Sequence, residues 1–143
     1  MAFFKRFKRS INTVLIVEDE PLVAFDNELH LGDAGYSVVA TVDSAAEALA
    51  SIARDKPDMV VTDVRLSGEG DGVDVARAAH DAHIPVIFVT GACPLEAQKL
   101  AAGCLVKPYG PRDLVRAVET VDRIIRGETP AKIPQTLTLY HPH

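Results

Sequence analysis

Residues 13–18 read T-V-L-I-V-E, a short run of branched apolar residues that ends in an acid. Such a run predicts a strand buried on both faces, and Pro21 soon after it is typical of the first turn of a helix. The same order of strand, loop and helix recurs along the chain. The predicted strands cover residues 13–18, 36–42, 59–63, 84–90 and 104–106, and the last predicted helix covers 111–126.

Strands made almost wholly of Val, Ile and Leu, each separated from the next by a helix, predict a parallel sheet covered on both faces. The fold class is therefore a doubly wound α/β sandwich. Only 16 residues separate Thr90 from Lys107, so we expect a short fourth helix. Right-handed crossovers bring the carboxyl ends of all strands to one edge of the sheet, where open α/β folds bind ligands.

The composition predicts one globular domain that folds without covalent or metal staples. The chain has 143 residues, of which 48% are hydrophobic and two are Cys. Cys93 and Cys104 have no Cys or His partner at zinc spacing, so we expect neither a structural metal site nor the disulfide framework of a secreted protein. A reducing, cytoplasmic compartment is the simpler interpretation, with Cys104 a small buried hydrophobe. No apolar run is long enough for a signal peptide core or a stable membrane insertion.

Charge is unevenly distributed along the chain. The net charge is −5, yet Lys5, Arg6, Lys8 and Arg9 lie within the first nine residues, which leaves 11 of the 15 basic residues against 20 acidic ones. An acidic body repels nucleic acid, so we expect no nucleic-acid partner. Residues 1–12 form a basic and aromatic arm. The arm attaches weakly to a membrane surface or an anionic partner, or it is a solvated arm that helps solubility, or it covers the first helix.

Polar side chains follow four of the five predicted strands. They are Glu18 and Asp19 after the first strand, Asp63 after the third, Thr90 after the fourth and Lys107 after the fifth. Clustered carboxylates need a cation between them or a raised pKa, and an oxygen-only ligand set favours Mg²⁺. Mg²⁺ beside a strand-end Asp suits phosphoryl transfer to a carboxylate. A single strand-end Asp is more often a turn or helix cap, but five such residues in register favour a site.

These segments resemble the receiver domain of two-component response regulators. The motifs are V-L-I-V-E-D-E, V-V-T-D-V, V-I-F-V-T-G and L-V-K-P-Y, and the similarity covers residues 13–126. The resemblance implies a flavodoxin-like, CheY-like sheet of five parallel strands in the order 2-1-3-4-5. It also implies that Asp63 accepts a phosphoryl group from a sensor histidine kinase or a phosphotransfer protein, with no enzyme activity beyond the loss of its own phosphate.

The resemblance assigns roles to the other strand-end residues. Metal binding falls to Glu18, Asp19, Asp63 and the backbone carbonyl of Arg65. Contact with the phosphoryl group falls to Lys107, through its charge, and to Thr90, through its hydroxyl.

The sequence is similar to one subgroup of the family in particular. The F-V-T-G motif and the short fourth helix resemble the FAT GUY group of alphaproteobacterial single-domain regulators, although Val89 replaces an expected Ala. Many receivers carry an aromatic residue where this chain has Cys104. The usual aromatic switch is therefore absent, and Tyr109 could play a related part.

Residues 127–143 form a tail that is too short for a helix-turn-helix output domain, so we expect a receiver alone that signals through a downstream protein partner. Within the tail, residues 133–140 either dock on the domain or a partner, or stay unordered. Two alternatives remain open for function. One is a Mg²⁺-dependent phosphohydrolase with an acyl-phosphate intermediate, and the other is a pseudo-receiver that only binds partners.

Overall fold

A computed structural model describes residues 9–130 and 132–140 as a single sheet with helices on both faces. The prediction of a basic and aromatic arm falls largely on residues 1–8, outside the described residues. The strands are β1 (Thr13–Val17), β2 (Ser37–Val42), β3 (Met59–Thr62), β4 (Val86–Thr90), β5 (Gly103–Val106) and β6 (Leu137–Leu139). The helices are α1 (Pro21–Asp33), α2 (Ala45–Asp55), α3 (Gly72–Asp81), a 3₁₀ helix (Leu95–Leu100) and α4 (Asp113–Ile125).

The sheet has the strand order β2-β1-β3-β4-β5-β6, with the first five strands parallel. The predicted fold class and the order 2-1-3-4-5 are confirmed. The five predicted parallel strands are present, and β6 in the tail adds a sixth strand that pairs antiparallel with β5. None of the helices among the described residues is both long and apolar enough to cross a bilayer.

Two apolar layers hold the helices against the sheet. Along β1, Val14 and Ile16 face one layer, and Leu15 and Val17 face the other. Side chains of a strand alternate between the two faces of its sheet, so a run of consecutive apolar residues is what a doubly covered strand needs. The first layer packs against α1 and α4, and the second packs against α2 and α3.

Local signals in the sequence set where the helices begin. The side chain of Ser44 accepts a hydrogen bond from the Glu47 N–H at 3.2 Å, as the S-A-A-E pattern predicts for the start of α2. At the start of α3, Asp71 and Asp74 form a reciprocal capping box. The α1 helix begins at Pro21, whose missing N–H would have no partner within the helix.

The fourth helix is short, as predicted from the span between Thr90 and Lys107. It is a 3₁₀ helix of six residues in which Ala97 alone is buried. The neighbouring Leu95 is 79% exposed, so little apolar surface holds this helix to the domain.

Residues 133–140 of the tail dock on the domain. The backbone N–H groups of Val106 and Tyr140 donate to Thr136 and Ala102 at 2.9 Å each, and Leu137 is buried. A Cβ atom at residue 103 would lie 2.7 Å from the Thr138 carbonyl oxygen. Only glycine at this position allows β5 and β6 to approach so closely.

The two cysteines form a disulfide, which corrects the expectation of a domain without covalent staples. Cys93 lies in the loop after β4, and Cys104 lies in β5 with a Cα–Cα distance of 6.1 Å to it. The chain leaves β4, makes one short helix and returns beside β4, so residues that are 11 apart in sequence meet in space. Cys104 is fully buried, as expected.

Candidate functional site

Asp63 lies directly after β3, at the edge where the parallel strands end. Its N–H donates to the Val17 carbonyl at 2.9 Å, which ties it to the end of β1. Its side chain is 10% exposed and both carboxylate oxygens have partners. Oδ1 accepts from the Val64 N–H at 2.6 Å, and Oδ2 accepts from Lys107 Nζ at 2.8 Å. The carboxylate is therefore fixed in orientation but still reachable from solvent.

Lys107 follows β5 and reaches across the site. Its Nζ atom lies 2.8 Å from Asp63 Oδ2, 2.9 Å from Glu18 Oε1 and 3.5 Å from Glu20 Oε1. Burial opposes the charge of Lys107, but its hydrogen bond to Asp63 and its ion pair with Glu18 outweigh that effect and raise its pKa above the usual value. The ammonium therefore stays charged throughout the physiological pH range.

Glu18 is a buried carboxylate at the end of β1, and one of its oxygens is poorly satisfied. Oε2 accepts from the Glu20 N–H at 3.1 Å. Oε1 is buried, and although Lys107 lies close to it, no donor meets it in hydrogen-bond geometry. Burial raises the pKa of Glu18, and the ion pair with Lys107 and the hydrogen bond from the Glu20 N–H only partly offset this.

Three carboxylates converge at this edge of the sheet. Oxygens of Glu18, Glu20 and Asp63 all lie within 4.8 Å of one another. Among the described residues, all three carboxylates pair with the same cation, Lys107. Three formal negative charges against one positive charge leave a formal excess of two negative charges in the cluster. An oxygen-only donor set with excess negative charge and a poorly satisfied buried oxygen fits a hard divalent cation such as Mg²⁺.

The cluster differs from the predicted ligand set in one member. Glu20, which the sequence analysis did not select, belongs to it, whereas half-buried Asp19 is not among its members. The acids of E-D-E occupy consecutive positions after β1, and the sequence does not show which of them turn inward. Arg65 lies two residues beyond Asp63, in the bend that leaves β3. Metal binding by Asp19 and by the Arg65 carbonyl stays a prediction.

Thr90 ends β4 and is buried, with a weakly held hydroxyl. The Oγ1 atom donates to the Ala92 carbonyl at 3.4 Å and accepts from the Ala92 N–H at 3.3 Å, and both distances are long for hydrogen bonds. A stronger acceptor nearby could therefore take over this hydroxyl.

Tyr109 is half-buried beside the site and is held by α1. Its hydroxyl donates to Asn27 Oδ1 at 2.7 Å. Burial raises the pKa of Tyr109 to about 12, so the phenol keeps its proton. The structure thus fixes the aromatic ring that the sequence analysis named as a possible switch.

Gly72, at the start of α3, presses against the backbone of the site. Its N–H donates to the Val64 carbonyl at 2.7 Å, and a Cβ atom here would lie 1.9 Å from the Asp63 carbonyl oxygen. Gly72 was not predicted as a site residue, because it lies at the end of a Gly-rich stretch that indicates only a loop. No side chain fits at position 72 without displacement of Asp63.

The family model described as the response regulator receiver domain matches residues 14–119. The chain belongs to this family. Receiver domains are the phosphorylated signalling modules of two-component systems, and the acidic cluster of this one is compatible with Mg²⁺. The FAT GUY subgroup stays a prediction.

Relatives of this receiver domain include both curated proteins and solved structures. The transcriptional regulatory protein PdtaR of Mycobacterium tuberculosis is 34% identical over 112 residues, which are 74% of this chain and 54% of that protein. The positive alginate biosynthesis regulatory protein of Pseudomonas aeruginosa is 39% identical over 117 residues, which are 77% of this chain and 47% of that protein. The chain thus spans about half the length of these relatives.

The solved structures match over the whole receiver domain. The signal receiver domain of a modulated diguanylate cyclase from Desulfovibrio desulfuricans superimposes with a TM-score of 0.73 at 30% identity, covering 81% of this chain and 97% of that one. A response regulator receiver protein from Sinorhizobium medicae gives a TM-score of 0.67 at 32% identity, covering 78% of this chain and 94% of that one.

Proposed function

We propose that this receiver domain accepts a phosphoryl group on Asp63 from the phosphohistidine of a sensor histidine kinase or a phosphotransfer protein in the cytoplasm. One observation carries the proposal: Lys107 Nζ holds Asp63 Oδ2 at 2.8 Å while the Val64 N–H holds Oδ1 at 2.6 Å. The carboxylate is oriented at the open edge of the sheet, beside a permanent positive charge. This arrangement suits a nucleophile better than a structural cap, whose oxygens would be used up by backbone N–H groups.

The transfer joins the Asp63 carboxylate to the phosphorus atom and breaks the nitrogen–phosphorus bond of the donor, whose imidazole leaves and takes up a proton. Glu18, Glu20 and Asp63, together with the predicted Asp19 and Arg65 groups, would hold Mg²⁺, which would neutralise charge on the phosphoryl oxygens. Lys107 already touches the acceptor oxygen and supplies a point charge to a phosphoryl oxygen.

Phosphorylation changes the charge that Thr90 and Lys107 face. A phosphoryl group adds about −1.5 to −2 units of charge at the end of β3. The Thr90 hydroxyl then has a stronger acceptor than the Ala92 carbonyl, which it meets at 3.4 Å. As Thr90 turns inward, the loop that follows β4 moves with it. A downstream protein that binds one of the two loop states more tightly turns this motion into output.

Incubation with Mg²⁺ and a small acyl-phosphate donor, followed by intact-mass measurement, tests the proposal. We expect one base-labile phosphoryl group on the parent and none on Asp63→Asn. Asp81→Asn is the matched control, because Asp81 is an exposed acid at the end of α3. Equal labelling of Asp63→Asn and the parent would contradict the proposal. A phosphohydrolase would instead turn over a phosphate monoester, and a pseudo-receiver would take up no phosphate at all.

A further inference from the structure

The Cys93–Cys104 disulfide joins the two segments that carry Thr90 and Lys107. Cys93 lies three residues after Thr90, and Cys104 lies three residues before Lys107. The ends of these segments also touch through the backbone, since the Lys107 N–H donates to the Thr90 carbonyl at 2.9 Å. The covalent loop that the disulfide closes therefore begins and ends beside the groups that would bind a phosphoryl group on Asp63.

Contacts at its C-terminal end hold the segment inside this loop, but the rest of it is weakly held. Leu100 packs on the second apolar layer, and the Ala102 N–H donates to the Val86 carbonyl at 2.8 Å. The 3₁₀ helix buries Ala97 and leaves Leu95 79% exposed. The hydrogen bond from the Ala101 N–H to the Gln98 carbonyl is long, at 3.5 Å. Segments with little buried apolar surface open readily, so the disulfide is a principal tether of residues 94–102 beside these C-terminal contacts.

The two cysteines differ in their exposure. Cys104 is fully buried in β5, whereas Cys93 lies in the loop and is partly exposed. A thiol from solvent therefore approaches the bond more easily from the Cys93 side than from the Cys104 side. In a reducing compartment such as the proposed cytoplasm, disulfides are rarely structural and more often respond to redox state.

We propose that the Cys93–Cys104 disulfide is a redox lock on the loop that responds to phosphorylation. Its effect on signalling rests on the proposed phosphorylation of Asp63. In the oxidised form, Cys93 is fixed to β5, so the adjoining Ala92 backbone cannot move away and keeps its contacts with the Thr90 hydroxyl. In the reduced form the loop is released, and the Thr90 hydroxyl can turn to a phosphoryl oxygen.

Reduction proceeds by thiol–disulfide exchange with a cellular dithiol. A thiolate of the dithiol attacks Cys93 Sγ and breaks the bond to Cys104, whose thiolate takes up a proton. The second thiolate of the dithiol then displaces Cys93, which also leaves as a thiolate and takes up a proton. The dithiol is oxidised to its own disulfide, so two electrons and two protons pass to the protein. Exchange with an oxidised disulfide reverses the reaction.

Amide hydrogen exchange of the unphosphorylated protein tests the tether by itself. In the chain-entropy description, a cross-link that closes a loop of this length reduces the number of conformations open to the unfolded segment about a hundredfold. Exchange across residues 94–102 should therefore be roughly tenfold to a hundredfold faster with dithiothreitol than in the oxidised protein. Cys93→Ser should exchange at the fast rate with or without dithiothreitol. Equal exchange in oxidised and reduced protein, or a dithiothreitol effect that persists in Cys93→Ser, would overturn the proposal.

The same comparison with Mg²⁺ and the acyl-phosphate donor tests the lock. Intact mass should show one phosphoryl group on the oxidised protein, the reduced protein and Cys93→Ser. The exchange of residues 92–102 should respond to phosphate only in the last two. A full response in the oxidised protein would overturn the lock while leaving phosphorylation of Asp63 intact. If no form takes up phosphate, the proposed function fails and the effect on signalling fails with it, whereas the first comparison still decides the tether.

Discussion

Replacement of Gly72 by Ala places one methyl group against the backbone of the phosphoacceptor. The new Cβ atom would lie 1.9 Å from the Asp63 carbonyl oxygen, and an ordinary contact needs at least 3.4 Å, so the two backbones must separate by about 1.5 Å. Separation on that scale breaks the 2.7 Å hydrogen bond from the Gly72 N–H to Val64, at a cost of about 1 kcal/mol. Overpacking adds about 1–3 kcal/mol. We therefore expect Gly72→Ala to lower the free energy of unfolding by about 2–4 kcal/mol.

Urea unfolding followed by circular dichroism measures this loss, and phosphate uptake from the small acyl-phosphate donor measures the accompanying displacement of Asp63. Gly32→Ala is the matched control, because Gly32 lies within α1 and a Cβ atom there would have no neighbour within 4 Å. That control should gain up to about 1 kcal/mol, as helical Gly-to-Ala changes do. Equal stability of Gly72→Ala and Gly32→Ala would refute the reasoning.

Three further changes test the site and its surroundings. Asp19→Asn should weaken Mg²⁺ binding strongly by the family resemblance and Glu20→Gln by the observed cluster, so titration calorimetry of both variants shows which acid is the ligand; unchanged affinity in both would place the metal elsewhere. In the reduced protein, Thr90→Ala should still take up phosphate but change the exchange of residues 92–103 only weakly, and a full response would show that the hydroxyl does not carry the signal. Burial raises the pKa of Tyr36 to about 12, above its unfolded value near 10, so the stabilisation that its protonated form provides is complete below pH 10 and is lost as the pH rises through 12. The Tyr36 hydroxyl has no hydrogen-bond partner among the described residues, so Tyr36→Phe removes the titrating group without breaking a hydrogen bond. The free energy of unfolding, measured with urea at a series of pH values, should fall less between pH 10 and 12 in Tyr36→Phe than in the parent. An identical pH profile would contradict this.

The sequence predicted the sheet well because its strands are buried on both faces. Runs such as V-L-I-V at 14–17 and V-I-F-V at 86–89 have no polar face, and only a parallel sheet between two helical layers buries them fully. The short span from Thr90 to Lys107 likewise limited the fourth helix to about two turns of 3₁₀ helix. These features depend on local composition and spacing, which a single sequence displays.

The sequence also placed the main polar groups of the site, since residues at the carboxyl ends of parallel strands meet at one edge. Asp63 and Lys107 follow β3 and β5 and touch at 2.8 Å. The roles of Asp19 and Glu20 could not be separated, because the direction of each side chain after β1 depends on how the loop turns into α1. Gly72 was missed because its importance comes from a backbone contact with a segment nine residues earlier.

The sixth strand and the disulfide needed the tertiary structure. The apolar residues of the L-T-L segment alternate and were consistent with docking, but nothing in the tail indicates that its partner is the edge of β5. The disulfide pairs a loop residue with a strand residue, and their separation of 11 residues matches no common metal or disulfide motif. Both features depend on which segments lie side by side after the fold has formed.

The most direct test of the account is to locate the phosphoryl group. Borohydride reduces an aspartyl phosphate to homoserine, which marks the acceptor residue permanently for tandem mass spectrometry of the digested protein. The parent, treated with Mg²⁺ and the acyl-phosphate donor, should carry homoserine at position 63 and at no other Asp. Homoserine at Asp19 or at any other acid, or none anywhere after demonstrated phosphate uptake, would contradict the assignment of Asp63 as the phosphoacceptor.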